Sequence, residues 1–339
     1  MAPTGRAAGS MLAQDGSRFT IPVAGGPLVV ELQDPPAQAS WRFEVPAPSE
    51  MVVDLLDPGL CRVSGVEPAE VRLPAGYVPP PRLLLTINGV AHELVSRDER
   101  VLDRHYSRPR HQDIYVRSDA WLRAYHTARV RQARRLLGGV RGRLCDVGSG
   151  YSLVRAAGPW SFQISACDRD PEAVAVLREA GIDAVCAPAS DPPFPGASFD
   201  AVFAGEIVEH LPDPERALRR WVELLRPGGR LVVTTPNRRH LLARVRGYEK
   251  VENPEHLFEW DLAELRLAID EAGAAVDRIE GLALPLPVYV PGRGWRDLIA
   301  GTVRRVRPLP PAWTVRAIEA GRRVPGLCID VAAVAHRVR

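Results

Sequence analysis

The spacing of hydrophobic and polar positions changes near residue 97 and divides the chain into two parts. Residues 18–97 consist of short β-rich runs that are broken by proline and other turn residues. In this part the pair Asn88-Gly89 separates two apolar runs, and this dipeptide suits the type I′ turn of a hairpin. We therefore predict a small antiparallel β domain over residues 18–97, and disorder over the small and polar residues 1–17.

From residue 98 to residue 339, short apolar runs alternate with longer segments of helical period. This alternation is typical of a parallel sheet whose strands are joined by crossover helices. The predicted strands lie near 143–147, 162–167, 183–187, 199–204, 230–235, 275–282 and 327–336. The predicted helices lie near 119–137, 171–180, 214–225 and 261–272. We therefore predict an α/β domain over residues 98–339.

Candidate chemistry begins at a glycine turn in the segment Leu144–Asp168. An apolar run there reaches Asp146, passes through the turn into a short helix and returns as a strand that ends in Asp168. Gly148 and Gly150 permit a sharp turn and let a ligand approach the backbone closely. Asp168 lies 20 residues after Gly148, about where a βαβ unit places a carboxylate against a ribose. The spacing predicts a site for a cofactor that contains adenosine.

A nicotinamide or flavin dinucleotide is disfavoured as that cofactor. Its fingerprint needs a third glycine for close helix–strand packing, and Leu153 occupies that position here. The other segments of the chain must therefore identify the cofactor.

Two further segments follow the glycine turn in a fixed order. Residues 191–214 have the sequence DPPFPGASFDAVFAGEIVEHLPDP, and residues 225–237 have the sequence LRPGGRLVVTTPN. Together with the DVGSG turn, they resemble the class I S-adenosylmethionine-dependent methyltransferases, in the type 11/23-like group. The resemblance covers residues 130–282 and depends on several motifs in one order.

The resemblance implies a Rossmann-like, seven-stranded methyltransferase sheet with helices on both faces, in addition to the N-terminal antiparallel β domain. The strand near 327–336 is then antiparallel and inserted next to the fifth. S-adenosylmethionine is the implied cofactor, with the glycine loop under its methionine part and an acid on its ribose hydroxyls. The residues that the resemblance places at this cofactor are Asp146, Gly148, Ser149, Gly150, Asp168, Arg169, Ala189 and Glu206.

The sequence departs from the family pattern at two positions. The third small position of the glycine loop is Ser152 instead of glycine. The family acid that faces the adenine amino group aligns with Pro188, so we expect the Ala189 backbone N–H to contact the adenine ring.

The segment Glu206-Ile-Val-Glu209-His210 follows the predicted fourth strand, where the acceptor pocket of this fold opens. If a helix begins here, these three polar residues share one face, because positions i, i+3 and i+4 are neighbours. Two carboxylates and an imidazole suit a divalent metal that lowers the pKa of a hydroxyl, and His256 completes the set. This combination resembles small-RNA 2′-O-methyltransferases, and its first half resembles quinone-pathway O-methyltransferases. We keep three roles open for Glu209, His210 and His256: metal ligation, catalytic base or pocket residue, and structure alone.

A long insertion, residues 283–326, separates the last two predicted strands. It contains GWRDLIAGTVRRVR, which predicts an amphipathic helix with arginine mostly on one face. Such a helix packs against the core, caps the site, docks a partner or lies on an anionic membrane.

Composition adds few constraints. The formal net charge is +3, which is too small to imply nucleic-acid binding. The five cysteines contain no C-x-x-C pair, so we expect buried free thiols and a cytoplasmic protein. No apolar run reaches the roughly 20 residues that a membrane span needs, but peripheral membrane contact stays open.

Three functional hypotheses remain. The first is an O-methyltransferase that acts on a small molecule, a glycan or a lipid-linked intermediate. The second is a metal-dependent RNA 2′-O-methyltransferase, against which the arginine-rich segments are dispersed and lack an aromatic stacking platform. The third is a binding protein that retains the methyltransferase fold without catalysis. The acceptor, the methylated atom and the oligomeric state are not determined by the sequence.

Overall fold

The computed structural model divides into two units, which are described separately. Residues 1–108 and 251–258 form the first unit, and residues 109–250 and 259–339 form the second. The structure describes residues 10–12, 18–22, 28–34, 39–45, 48–54, 61–65, 69–71, 82–87, 90–98, 100–102, 120–246, 256–284 and 311–338.

The described part of the first unit is rich in β-strands. They are β1 (Ser10–Leu12), β2 (Arg18–Pro22), β3 (Leu28–Asp34), β4 (Ala39–Val45), β5 (Pro48–Asp54), β6 (Cys61–Gly65), β7 (Ala69–Val71), β8 (Arg82–Ile87) and β9 (Val90–Val95). One sheet has the order β1-β9-β8-β3-β4 and the other the order β2-β5-β6-β7. Strands β8 and β9 form the hairpin around Asn88-Gly89.

Strand β1 differs from the sequence expectation, because it lies within the segment predicted to be disordered. It pairs with β9 in parallel, with Met11 beside Leu94. Apolar residues in a short run extend the edge of an existing sheet, and the surrounding small and polar residues conceal that signal in the sequence.

The second unit contains a seven-stranded sheet. Its strands are β10 (Gly142–Val147), β11 (Phe162–Asp168), β12 (Asp183–Cys186), β13 (Phe199–Gly205), β14 (Leu225–Pro236), β15 (Ala274–Leu282) and β16 (Asp330–Arg337). Their order is β12-β11-β10-β13-β14-β16-β15. The first five run in parallel, and β16 is antiparallel to both of its neighbours. The predicted seven-stranded sheet and its inserted antiparallel strand are confirmed.

The helices of the described second unit are α1 (Ala120–Leu136), α2 (Leu153–Ala157), α3 (Pro171–Glu179), α4 (Pro214–Leu224), α5 (Leu241–Arg246), α6 (Leu262–Glu271) and α7 (Pro311–Glu319). Helix α1 contacts α2 and α7, whereas α4 contacts α6, so helices cover both faces of the sheet. Two of them begin at an aspartate N-cap followed by proline, Asp170-Pro171 and Asp213-Pro214, which fixes where each helix starts.

The core of this unit lies between the sheet and the helices. Strand β16 is buried from Asp330 to Ala335, as expected for a strand covered on both faces. Phe203 on β13 packs in one core cluster with Ala332 and Val334 of β16, and Trp221 on α4 is also fully buried. The predicted amphipathic segment, residues 294–307, lies outside the described residues.

Candidate functional site

The glycine loop connects the carboxyl end of β10 to α2. Gly148 and Gly150 have φ angles of 60° and 49°, a left-handed conformation that L side chains rarely adopt. A Cβ on Gly148 would lie 2.3 Å from Cγ1 of Ile207. Packing against Ile207 therefore requires glycine at this position, whether or not a ligand is bound. A Cβ on Gly150 would meet no atom within 4 Å, so the loop faces open space at this residue.

Asp168 at the end of β11 holds the glycine loop. Its Oδ2 accepts a hydrogen bond from the Gly150 N–H at 2.6 Å, and its Oδ1 accepts one from the Asp170 N–H at 2.9 Å. The Ser149 N–H donates to the Cys167 carbonyl at 3.1 Å. The carboxylate and the loop backbone are therefore adjacent, which is what a site for a ribose and an amino acid moiety needs.

Asp146 is buried beneath the loop. The Ser152 hydroxyl donates to its Oδ2 at 2.5 Å, and the Arg155 N–H donates to that hydroxyl at 3.0 Å. Burial raises the pKa of Asp146 to about 8, and the nearby Asp168 carboxylate acts in the same direction. Asp146 therefore supports the loop from below through Ser152.

The other predicted cofactor residues lie beyond β11 and β12. The Ala189 carbonyl accepts a hydrogen bond from the Trp221 indole at 2.7 Å, and no described residue accepts one from the Ala189 N–H. Asp191 forms an ion pair with Arg220 at 3.1 Å. The carbonyl of Arg169 accepts a weak hydrogen bond from the Cys186 thiol at 3.5 Å.

The condition under which Glu206, Glu209 and His210 would share a helix face is not met. Only a three-residue 3-10 turn, Val208–His210, follows β13. Glu206 has φ 53°, and its N–H donates to the Thr234 carbonyl at 2.9 Å. The left-handed φ of Glu206 is not a helical conformation, so Glu206, Glu209 and His210 do not share a helix face.

Glu206 and Glu209 instead lie against the end of β14. The Thr234 hydroxyl donates to Glu206 Oε1 at 2.7 Å, and the Thr235 hydroxyl donates to Glu209 Oε2 at 3.1 Å. Glu209 is fully buried, and its Oε1 makes no hydrogen bond with any residue that the structure describes. Burial, followed by the Glu206 charge, raises the pKa of Glu209 well above its ordinary value. His210 Nε2 lies 3.9 Å from that same Oε1.

Three further residues, which the sequence analysis did not assign to the site, lie near these glutamates. Glu206 and Glu209 together with Tyr125, Arg129 and Asp330 are called the polar wall below. The Tyr125 hydroxyl on α1 donates to Asp330 Oδ2 at the start of β16. Arg129, one turn further on α1, lies 4.0 Å from Glu206 Oε1. Burial, followed by the Glu206 charge, raises the pKa of Asp330 well above its ordinary value. A lone acid at the head of the apolar run DVAAVA was the one signal in the sequence for this residue.

His256 lies in the segment 251–258, which belongs to the first unit. Its neighbour Leu257 packs in a cluster with Val95 and Leu102 of that unit. The four predicted metal ligands are therefore divided between two units, and a common metal site stays a prediction.

The loop fits S-adenosylmethionine. The open space above Gly150 admits a ligand close to the backbone, and the Asp168 carboxylate beside it would accept hydrogen bonds from the ribose hydroxyls of this cofactor. Ser149, Arg169 and Ala189 lie along the same carboxyl edge of the sheet, as the parallel strands β10 and β11 require. The donor set contains no feature that conflicts with this cofactor.

The strand order and the loop after β10 define the second unit as a class I methyltransferase fold. Residues 145–233 match the family described as a methyltransferase domain. Residues 145–233 are a methyltransferase domain of the type 11 group, and over this region the chain is similar to S-adenosylmethionine-dependent methyltransferases. S-adenosylmethionine is the methyl donor of that family.

Relatives match parts of the chain. A "probable S-adenosylmethionine-dependent methyltransferase" of Mycobacterium tuberculosis is 31% identical over 192 residues, which is 56% of this chain and 64% of that protein. The ubiquinone biosynthesis O-methyltransferase of Xanthomonas oryzae pv. oryzae is 36% identical over 104 residues, 28% of this chain and 44% of that one. The chain thus spans less than two thirds of either relative. The crystal structure of a SAM-dependent methyltransferase from Archaeoglobus fulgidus is 16% identical with a TM-score of 0.46, and covers 67% of this chain and 98% of that one.

Proposed function

We propose that this chain is an S-adenosylmethionine-dependent O-methyltransferase that acts on a small molecule, a glycan or a lipid-linked intermediate. The observation that carries the proposal is the loop at Gly150, which is open to a ligand and bound to the Asp168 carboxylate. The cofactor supplies an activated methyl group when it is bound. No helix in the described residues has the length and apolarity to cross a membrane.

We assign the residues on the cofactor side of the site from their places in the fold. Asp168 accepts from the ribose hydroxyls, and the backbone of Gly148, Ser149 and Gly150 borders the methionine part. Asp146 supports this loop through Ser152. The Ala189 N–H is available to bond the adenine ring. Arg169 and Glu206 are the remaining residues that we assign to the cofactor.

The acceptor side is the polar wall at the ends of β13, β14 and β16. Methyl transfer depends mainly on alignment, but an acceptor hydroxyl also needs a group that takes its proton. Glu209 and His210 are our candidates, since Glu209 Oε1 is buried and lacks a hydrogen bond among the described residues. The similarity to a ubiquinone biosynthesis O-methyltransferase favours oxygen over nitrogen as the methylated atom.

A divalent metal is the alternative role for Glu206, Glu209, His210 and His256. Carboxylate and imidazole ligands suit such an ion, which would lower the pKa of the acceptor hydroxyl. In that case the function shifts toward an RNA 2′-O-methyltransferase. Buried free thiols at Cys145, Cys167 and Cys328 support a reducing compartment, and we propose the cytoplasm.

The first experiment is transfer of labelled methyl from S-adenosylmethionine into fractionated cell extract, with and without EDTA. Label in the small-molecule, glycan or lipid fraction that resists EDTA supports the proposal. Label in RNA that disappears with EDTA overturns the substrate class and establishes the metal. Absence of both transfer and S-adenosylhomocysteine binding overturns the methyltransferase assignment.

We expect His210→Ala to reduce turnover by about 10²–10⁴-fold, the range for loss of general acid–base catalysis. Its S-adenosylhomocysteine affinity, measured by calorimetry, stays at the wild-type value because the residue acts on the acceptor side. His336→Ala is the matched control, since His336 is exposed and pairs with Asp277. Equal losses of turnover and affinity in His210→Ala would contradict the acceptor-side role.

A further inference from the structure

The segment 187–198 connects β12 to β13 and contains neither helix nor strand. Four of its residues are prolines, namely Pro188, Pro192, Pro193 and Pro195. Proline has no backbone N–H, so the segment has few donors for its own carbonyl groups. Its conformation therefore depends on donors from another element.

Two neighbouring residues of α4 supply these donors. The Trp221 indole N–H donates to the Ala189 carbonyl at 2.7 Å. Arg220 Nη2 donates to the Pro192 carbonyl at 2.9 Å and to the Phe194 carbonyl at 2.7 Å. Trp221 is fully buried, so its indole has a fixed place in the core. Helix α4 thus holds the segment 187–198 at three carbonyl groups.

The other nitrogens of Arg220 are also engaged. Its Nε donates to Asp191 Oδ1 at 3.1 Å, and its Nη1 lies 3.5 Å from Glu223 Oε2. A guanidinium carries its donors in a rigid fork, so these contacts together fix the direction of the side chain. Asp191 of the segment is thereby bound to α4 as well.

These contacts fix the peptide units on both sides of Ala189. The Asp191 N–H donates to the Pro188 carbonyl at 3.2 Å, which closes a turn with Ala189 as its second residue. The Pro188 carbonyl and the Ala189 N–H belong to one trans peptide unit, so they point in opposite directions. The Ala189 N–H therefore points out of the turn, and it donates to no described residue. The bond from Trp221 to the Ala189 carbonyl fixes the next peptide unit.

The segment begins beside the proposed ribose acid. The Ala187 N–H donates to the Asp168 carbonyl at 2.9 Å, and β12 is the neighbour of β11 in the sheet. We propose that Arg220 and Trp221 are positioning residues, which hold the segment so that the Ala189 N–H is directed at N1 of adenine. N1 is an acceptor on the edge of adenine that is remote from the ribose. This inference rests on the proposed function, because it requires the cofactor to bind at Asp168.

Calorimetry with S-adenosylhomocysteine and its 1-deazaadenine analogue tests the contact, since the analogue has a C–H in place of N1. We expect the wild type to bind the analogue about tenfold more weakly, because a donor loses its acceptor. In Arg220→Met both ligands bind more weakly, and the difference between them falls below about threefold, because the N–H is no longer held in place. A purely structural role would weaken both ligands equally and leave the tenfold difference.

Two further variants accompany Arg220→Met. Arg220→Lys keeps the charge but lacks the fork of donors, so we expect a difference between the two ligands that lies between those of the wild type and Arg220→Met. Arg219→Met is the matched control, because Arg219 is the preceding residue of α4 and is exposed. It keeps the tenfold difference of the wild type.

Amide hydrogen exchange of the full chain tests the hold on the segment without any ligand. We expect exchange within residues 187–198 to be at least about tenfold faster in Arg220→Met than in the wild type, and unchanged in Arg219→Met. Equal exchange in Arg220→Met and the wild type overturns the hold of α4 on the segment. Faster exchange with an unchanged tenfold difference between the two ligands overturns the contact with adenine. If the wild type does not bind S-adenosylhomocysteine at all, the proposed function fails together with the adenine contact, and the exchange rates still test the hold of α4.

Discussion

At the scale of the residue, Asp168 has two tasks that use the same carboxylate. It accepts hydrogen bonds from two backbone N–H groups, of Gly150 and Asp170, and it stands where we propose the ribose of the cofactor. We expect Asp168→Ala to weaken S-adenosylhomocysteine binding by about 1–3 kcal/mol, roughly 5- to 150-fold in Kd. Calorimetric titration measures this change.

The control for this variant is Asp270→Ala, which removes an exposed carboxylate of α6. It keeps the wild-type affinity if the effect of Asp168 is local. Equal affinity of Asp168→Ala and the wild type would mean that the ribose binds elsewhere.

Asp146 predicts a dependence of stability on pH. Its pKa is about 8 in the folded chain, whereas an unfolded aspartate has a pKa of 3.8. Between these values the unfolded chain releases a proton that the folded chain keeps, so stability falls as pH rises. We expect Asp146→Asn to gain stability relative to the wild type by about 1.4 kcal/mol per pH unit between pH 5 and 7. Urea unfolding at several pH values tests this, and Asp270→Asn should show no such gain.

At the scale of the element, the glycine loop requires its two glycines for different reasons. Gly148 is crowded by Ile207 and also has a positive φ, whereas Gly150 has a positive φ and open space. We expect Gly148→Ala to cost about 2–4 kcal/mol of stability, the sum of backbone strain and overpacking. Gly150→Ala costs about 1–2 kcal/mol, from strain alone.

The two variants also separate folding from cofactor binding. The Cβ of Gly150→Ala enters the space that we assign to the cofactor, so it should weaken S-adenosylhomocysteine binding in a chain that remains folded. Thermal unfolding together with calorimetry gives both quantities. A larger loss of stability in Gly150→Ala than in Gly148→Ala would contradict the contact with Ile207.

Most elements of the second unit were predictable because their signals are local, whereas α5 and α7 were not predicted. Most of the strands contain a short apolar run, and Asp213-Pro214 marks the start of α4. The segment after β13 was not predictable in this way. The spacing of Glu206, Glu209 and His210 suits a helix, but Glu206 has a left-handed φ and bonds Thr234 of another strand, and neither feature is visible in the local sequence.

At the scale of the whole molecule, the contact between the glycine loop and Asp168 could be predicted, whereas the contact between Tyr125 and Asp330 could not. The glycine loop and Asp168 lie within one βαβ unit, so their spacing in the sequence reflects their distance in space. Tyr125 and Asp330 are separated by 205 positions and meet only because β16 is inserted between β14 and β15. Single-sequence patterns hold no information about such a pair.

We expect the Tyr125–Asp330 pair to contribute to the stability of the whole second unit, since it joins α1 to β16, the strand that lies between β14 and β15. Tyr125→Phe leaves a buried acid without its donor and should cost about 1–3 kcal/mol. Thr127→Val on the same helix is the control, because the Thr127 hydroxyl bonds only its own helix at the Arg123 carbonyl. Urea unfolding compares the two, and equal stability of both variants would show that the pair contributes little.

The place of β16 also has a consequence for biosynthesis. Strands β14 and β15 are synthesised before it, and the edges with which they face β16 stay unpaired until β16 is available. A nascent chain therefore exposes two unpaired strand edges while residues 283–329 are translated, which is when such edges are most prone to association. The strand that carries Asp330 thus closes the sheet and brings that acid to the site in a single late step.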